Sequence, residues 1–323
     1  MKRIAVTGSS GYLGRKFLEH LQRGHGAVET LGIDIRSPGS ATASPERFVH
    51  LDILSPELAG ILRDFQPDTI VHAAFVLAPI RDRQRMRQIN VDGCRNVLAA
   101  ASGVGRMMLV SSATVYGAWP DNPVPMDETQ PLRVSAYQYA ADKVEIENLA
   151  EQFAEQHPGV AVSYVRPAII GGEGMDNFLY RFIFDQPLVV LLDGYDTPVQ
   201  FVHEDDVAAA MLAILTADAR GAFNIAPPNW CQASEIAAET RRRLVRLPFR
   251  LMKIIHGLGW AARLPGHESP AEFLEFARFP WVVAPRRLEQ ELAFRFRYTS
   301  RETLLATIRS RQPSEKRRLN VAR

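Results

Sequence analysis

The chain has 323 residues, 46% of them hydrophobic and 23% charged, with 38 Lys and Arg against 36 Asp and Glu. A net charge of +2 supplies no concentrated positive field for nucleic acid, and no run of about 18 apolar residues exists to span a membrane. Two cysteines, Cys94 and Cys231, make no disulfide framework, so the secreted, collagenous, disordered and transmembrane classes are excluded and a cytoplasmic setting is expected. The strand-like run from Arg3 reads as a chain without a leader peptide.

Residues 4–7 read as a buried strand, 8–14 as a glycine-rich turn and 15–23 as a helix with Phe17, Leu18 and Leu21 at helical spacing. Strands follow at 30–35, 48–52 and 69–74, then a helix at 88–101 and a strand at 107–111. This alternation predicts βαβ units and a parallel sheet, an α/β class. Residues 120–131 hold Pro120, Pro123, Pro125 and Pro131 and must be loop. A long helix is expected at 136–156, with Ser135 and Gln138 in the spacing of a capping box, before a strand at 160–165. Beyond Arg166 the alternation weakens, and the apolar run 188–192 has no clear period. Residues 200–202 and 223–226 look like strands returning to the sheet.

The domain expectation is therefore 1–166 plus 200–226 for the sheet domain and 167–199 with 227–310 for a smaller, irregular lobe. The stretch 311–323 reads as a basic, solvated tail.

Glycine is needed where φ is positive or a ligand comes too close for a Cβ. Gly8, Gly11 and Gly14, set between the first strand and first helix, point to a dinucleotide whose pyrophosphate sits at the helix N-terminus. Asp34, 20 residues after Gly14, is placed to accept from an adenosine ribose and to repel a 2′-phosphate, which favours NAD over NADP. Arg36 pulls the other way, because an Arg there can accommodate that phosphate.

Tyr139 and Lys143 lie four residues apart, on one helix face. A phenol near pKa 10 is a poor base, and a fixed cation beside it stabilises phenolate. The pair is a candidate for moving a proton at a substrate oxygen. Tyr137 has Ala141 in the corresponding place and is not a candidate. Ser112 and Thr114 end a strand in hydroxyls, where such folds place ligands, although turn chemistry alone explains them equally.

In chain order, Thr7–Gly14, Asp34, Asp52-Ile53, Val71-His72-Ala73-Ala74, Asn90-Val91-Asp92-Gly93, Ser111–Gly117, Tyr139/Lys143, Val165-Arg166-Pro167, Phe201–Val207 and Phe223-Asn224 resemble the extended short-chain dehydrogenase/reductases, also called NAD-dependent epimerase/dehydratases. The resemblance covers about residues 3–226. It implies a Rossmann-type, doubly wound parallel sheet with the smaller lobe holding substrate.

Residue by residue, the resemblance implies that Gly8, Ser10, Gly11, Tyr12, Leu13 and Gly14 hold the pyrophosphate and Asp34 the ribose. Asp52 and Ile53 would meet adenine, and Ala73, Ala74 and Asn90 would line the nucleotide site. Tyr139 would be the general acid/base, with Lys143 as its partner and also bonded to the nicotinamide ribose. Ser112 would bond the reacting oxygen, with Thr114 nearby, and Pro167 and Ala168 would pack near the nicotinamide. A homodimer through the helices near 88–101 and 136–156 is also implied.

Three departures matter. The dehydratase Asp-Glu pair is replaced by Ala113 and Thr114, which disfavours water elimination. Val199, followed by Gln200, stands where nucleotide-sugar epimerases carry a phosphate-binding Arg, and Ile169 where they tend to have Asn. Both weaken a UDP-sugar substrate, and Asn177 or another Arg could substitute.

Two Arg clusters, at 81, 83, 85 and 87 and at 241, 242, 243, 246 and 250, read as solvated helix faces or as grips for an anionic substrate. His203-Glu204-Asp205-Asp206 reads as strand-to-helix chemistry and not as a metal site.

The leading expectation is an enzyme, an NAD-dependent oxidoreductase of a small-molecule secondary alcohol or ketone. The alternatives are a sugar-nucleotide epimerase and a non-catalytic dinucleotide-binding scaffold or redox sensor. Of the five Lys beside 33 Arg, only Lys143 carries a constellation in the sequence; Lys2, Lys16, Lys253 and Lys316 do not.

Overall fold

A computed structural model of the chain describes residues 1–24, 28–39, 44–264 and 266–311. The first half alternates as the pattern dictates. β1 (Arg3–Thr7), α1 (Tyr12–Gly24), β2 (Glu29–Asp34), β3 (Arg47–His50), α2 (Leu58–Phe65) and β4 (Thr69–His72) come first. Then come α3 (Arg83–Arg87), a π-helical turn (Gln88–Asp92), α4 (Gly93–Ala99), β5 (Arg106–Val110), a 3₁₀ turn (Ala113–Tyr116), α5 (Gln138–Gln156) and β6 (Ala161–Pro167).

The sheet has seven strands. Its order is β11-β6-β5-β4-β1-β2-β3, where β11 is Gly221–Ile225, and every pairing in it is parallel. Strands such as β4 and β6 are covered on both faces, which is why they read as apolar runs without alternation. Phe17, Leu18, Leu21, Met211 and Ile214 bury against one face, and Leu62, Phe65, Cys94, Val97, Ile146 and Ala150 against the other. Each such side chain contributes roughly 1.5–3 kcal/mol of transfer free energy.

The chain runs outward from β1 to β2 on one side and to β4 on the other. That reversal opens a crevice at the carboxyl ends of β1 and β4, where this class of sheet holds its ligands.

The rest contains β7 (Ile169–Gly171), α6 (Phe178–Phe184), β8 (Leu188–Leu192), β9 (Pro198–Val199), β10 (Phe201–His203), α7 (Glu204–Thr216), β12 (Cys231–Gln232), α8 (Ala233–Glu239), β13 (Arg243–Leu247), α9 (Phe249–Ala262), α10 (Glu275–Arg278), α11 (Arg286–Leu292) and α12 (Ser300–Arg311). Small two-strand pairs tie it together: β7 with β10, β9 with β12 and β8 with β13.

Several local expectations are corrected. The strand expected at 200–202 does not return to the main sheet; β10 pairs with β7, and only β11 joins as an edge strand. The capping box at Ser135 does not form. Ser135 Oγ accepts from Tyr137 N at 3.2 Å in a local turn, Gln138 bonds Asp142 instead, and α5 starts two residues later. The helix expected from residue 88 begins earlier, at Arg83, and passes through the π turn. Residues 243–247 are strand, not helix, because the run 188–192 pairs with them in parallel. Of the expected tail, Arg311 ends α12 and 312–323 lie outside the described residues.

Candidate active site

The glycine turn is built as its residue types require. Gly8 has φ +73°, and a Cβ there would stand 2.5 Å from Ala74 N. At Gly14 a Cβ would run into the Gly8 carbonyl, so the first turn of α1 can close onto β1 only with glycine. Gly11 is different: beyond the Gly8 carbonyl oxygen at 3.0 Å, the next atom is Arg36 at 3.9 Å. A Cβ there would press on that carbonyl oxygen at the N-terminal end of α1, where orphan N–H groups and the helix dipole favour an anion.

Asp34, at the end of β2, is 8% exposed. Its carboxylate accepts from Ser10 N and Arg36 N, both at 2.9 Å, and so ties the turn to the second strand. Arg36 itself points into solvent, 3.9 Å from the carboxylate. Ser10 Oγ is buried without a hydrogen-bond partner among the described residues. A glycine turn at a helix N-terminus, an orphaned hydroxyl and a carboxylate beside them fit a dinucleotide.

Tyr12 turns the other way. Its hydroxyl donates to Glu204 Oε2, and burial followed by the Glu204 charge holds the phenol well above its ordinary value. Lys16 stands 3.0 Å from Glu204 and 2.8 Å from Asp205. Burial lowers the Lys16 ammonium, but the bonds to Asp205 and Glu204 outweigh it and hold it charged. Lys16 thus has a constellation, which spacing 188 residues apart concealed. His203 caps α7, its Nδ1 accepting from Asp205 N at 3.2 Å, and Asp206 accepts from Arg297 N and Tyr298 N. No cluster of metal-ligating side chains occurs among the described residues.

Across the crevice, Ala73 N bonds Thr7 O at 3.0 Å and sets the loop after β4 beside the glycine turn. Asn90 is fully buried in the π turn; its Oδ1 accepts from Val76 N at 2.8 Å and its Nδ2 donates to Asp142 Oδ2 at 2.9 Å. One side chain therefore joins the post-β4 loop to the catalytic helix candidate. Asp52 caps its own turn at Leu54 N and faces Arg85 at 3.8 Å, while Ile53 packs on Gly93 and its carbonyl accepts from Asn96. Pro167 ends β6, and Ala168 N bonds Ile225 O at 3.1 Å.

Tyr139 and Lys143 lie on the first turns of α5. Tyr139 is partly exposed, with the Ser112 side chain close to its hydroxyl. Burial pushes the phenol up to about 12, and the nearby Ser112 hydroxyl opposes this without cancelling it. Lys143 is 2% exposed and donates to Val110 O at 2.6 Å. Its Nζ lies 3.4 Å from the Phe75 ring centroid and 5.6 Å from that of Tyr139. Burial lowers the ammonium to about 7; Cys94, Glu147 and Asp142 pull it back only in part.

The expected lowering of Tyr139 by Lys143 is therefore not seen: the cation is itself desolvated, and the phenol stays protonated at neutral pH. Thr114 is buried with no partner for Oγ1 among the described residues, and Ser112 Oγ accepts from Thr114 N at 3.2 Å.

Phe75 escaped the sequence reading, although it directly follows the Val71–Ala74 motif. It stacks edge-on to Tyr139 at 5.4 Å and covers Lys143. A second missed group is the buried pair Arg166–Glu147, bonded through both carboxylate oxygens at 2.6–3.1 Å. Arg166 also donates to Tyr116 at 2.7 Å, Tyr116 donates to Asn224 at 2.9 Å, and Ser111 donates to Glu147. A third is Tyr137, passed over for want of a cation, whose buried hydroxyl has no partner among the described residues.

Tyr137 and Tyr139 line one cavity of about 300 Å³ with residues 79–83, Gly257 and Trp260 of α9, and 270–272. The first Arg cluster reaches it in part. Arg81 stacks on Trp260 at 4.7 Å and donates to its carbonyl; Arg83 pairs with Glu272 at 3.2 Å. Arg85 and Arg87 face Asp52 and Glu145 instead.

With this geometry in place, comparison with known proteins gives the class. Residues 4–226 match the NAD dependent epimerase/dehydratase family, and the chain belongs to that family. It is 28% identical over 316 residues to an uncharacterised protein of Mycobacterium tuberculosis, covering 93% of this chain and 82% of that one. A UDP-glucose 4-epimerase of Mycolicibacterium smegmatis is 29% identical over 233 residues, 65% of this chain and 72% of that protein. Among solved structures, a UDP-glucose 4-epimerase of Thermotoga maritima, determined with UDP-glucose, shares the fold with a TM-score of 0.73 at 19% identity, covering 98% of this chain and 99% of that one.

Proposed function

We propose that this chain binds NAD in the crevice over Gly11 and interconverts a secondary alcohol and a ketone, with Tyr139 as the proton carrier. When bound, NAD supplies the acceptor or donor of hydride at nicotinamide C4. Tyr139, protonated at neutral pH, would give its proton to a ketone oxygen as the carbon is reduced, and as phenolate would take it from the alcohol in reverse. Ser112, beside the Tyr139 hydroxyl, would hold the same oxygen. Lys143, one turn further along α5, would steady the phenolate and reach the nicotinamide ribose.

Asp34 would bind the adenosine ribose through the carboxylate now held by Ser10 and Arg36 amides, with Asp52 and Ile53 at adenine. Asn90 would act by position, holding the loop of Ala73 and Ala74 against α5, with Pro167 and Ala168 across the site.

The observation that carries this reading is Tyr139 in the wall of a cavity, one turn of α5 before the buried Lys143. A second reading, epimerisation of a nucleotide sugar through a keto intermediate, is supported by the Mycolicibacterium relative's name and by Arg81 and Arg83 at the cavity. A non-catalytic scaffold has no observation in its favour, since both Tyr139 and Lys143 are in place.

The experiment is a screen of hydroxysteroids, small ketones, UDP-sugars and dTDP-sugars, reading NADH absorbance and sugar configuration. It is repeated with Tyr139→Phe and paired with NAD and NADP titrations. Net absorbance change identifies the oxidoreductase, and a changed sugar without it the epimerase. Tyr139→Phe is expected to lower kcat by about 10²–10⁴ with NAD affinity retained. An unchanged rate overturns the site.

A further inference from the structure

The large apolar side chains left exposed are unevenly placed. Leu251, Ile254, Ile255 and Leu258 are 44–66% exposed, and all four lie on α9 at positions i, i+3, i+4 and i+7. That spacing makes one continuous stripe along the helix. The opposite side of α9 is fully used. Phe249 and Gly259 are buried, His256 bonds Ser269 at 3.1 Å, and Gly257 and Trp260 form a wall of the site cavity. The stripe is therefore not a core face awaiting its own fold. A single exposed Leu is ordinary, whereas an aligned row of four marks a surface that meets something.

Charge says what it meets. Residues 241–264 contain six Arg and Lys253 but no Asp or Glu, so the rest of the chain is net −5. Arg241, Arg243, Arg246, Arg250 and Arg263 are exposed and form no ion pair with a described residue; Lys253 alone meets a carboxylate, Glu275 at 3.6 Å. The unbalanced positive charge thus lies in the same stretch of chain as the apolar stripe. None of the exposed large apolar residues falls on α4 or α5, so the homodimer surface implied by the family resemblance is separate.

We propose that α9 docks flat on an anionic lipid bilayer. Leu251, Ile254, Ile255 and Leu258 would enter the boundary between headgroups and acyl chains, and the Arg cluster of 241–250 would face anionic headgroups. This is binding to a surface: no helix among the described residues is long and apolar enough to cross a membrane. It stands independently of the reaction catalysed. It also gives the second Arg cluster a role outside the substrate site, and sets the cavity wall formed by Gly257 and Trp260 close to the lipid.

The test is sedimentation of the full chain with vesicles of phosphatidylcholine alone, or with phosphatidylglycerol as about a third of the lipid. The expected result is pelleting with the anionic vesicles only, weakened by salt. Ile254→Gln/Leu258→Gln should reduce it at least about tenfold, with thermal melting and NAD binding unchanged. Arg246→Gln/Arg250→Gln should weaken it on anionic vesicles. Absence of pelleting overturns the proposal, as does pelleting that the apolar double variant leaves intact. So does a wild-type dimer, seen by light scattering, that the double variant dissociates without any vesicle binding; the stripe would then be a contact between two copies of the chain.

Discussion

Arg166→Met is expected to be among the most damaging single changes away from the site. Arg166 and Glu147 are 5% and 2% exposed, and the guanidinium spends Nε and Nη2 on the carboxylate and Nη1 on Tyr116. Methionine keeps much of the side chain's bulk but leaves Glu147 charged, buried and bonded only by Ser111. Removing one partner of such a pair costs about 3–5 kcal/mol, which for a chain of this size lowers Tm by roughly 4–7 °C. Thermal melts of wild type, Arg166→Met and Glu147→Gln/Arg166→Met read this directly. The double variant, with no stranded charge, should recover much of the loss. If Arg166→Met melts within about 2 °C of wild type, the pair does not hold β6 to α5 and the reasoning fails.

Lys143→Met should alter the pH dependence of stability in the cofactor-free chain. With Lys143 depressed to about 7, the unfolded state holds a proton that the native state lacks between about pH 7 and 10, so wild-type stability climbs over that window. The variant should be more stable near pH 7 and converge with wild type near pH 10, as urea melts would show; parallel curves would contradict the assignment. Gly8→Ala places a Cβ at φ +73° against Ala74 N and should lose about 1–2 kcal/mol of stability and at least about tenfold in NAD affinity. Calorimetric titration showing unaltered affinity would remove Gly8 from the cofactor site.

What was legible in the sequence is what local chemistry dictates. Strands covered on both faces read as apolar runs, and glycines that cannot carry a Cβ mark the turn, so β1, α1 and the crevice are visible in Val6–Gly14. Tyr139, Lys143 and Ser112 were visible as types at the right ends of elements, and the structure brings Tyr139 and Lys143 together around Phe75. Their electrostatics were not visible, because desolvation depends on what packs above a residue and no spacing records that. Long-range partners were hidden for the same reason: Lys16 with Glu204, Arg166 with Glu147, and Asn90 with Asp142 each bridge separate elements. Ser135 and Gln138 show that one local signature can lose to another, since Gln138 bonds Asp142 one turn along its own helix. The π turn left no trace in hydrophobic spacing because it adds one residue inside an otherwise helical run.

The cavity beside Tyr139 draws its walls from two unequal sources. Residues 79–83 and 137–139 fall within the stretch matched to the family, whereas Gly257, Trp260 and 270–272 lie beyond residue 226. On the proposed reading, the reacting groups lie within the matched stretch while part of the chamber wall lies beyond it. Substitutions in 257–272 would then reshape the chamber while the glycine turn, Asp34, Ser112 and the Tyr139 helix stay as they are, and a change of substrate is the expected result of exchanging that segment between relatives.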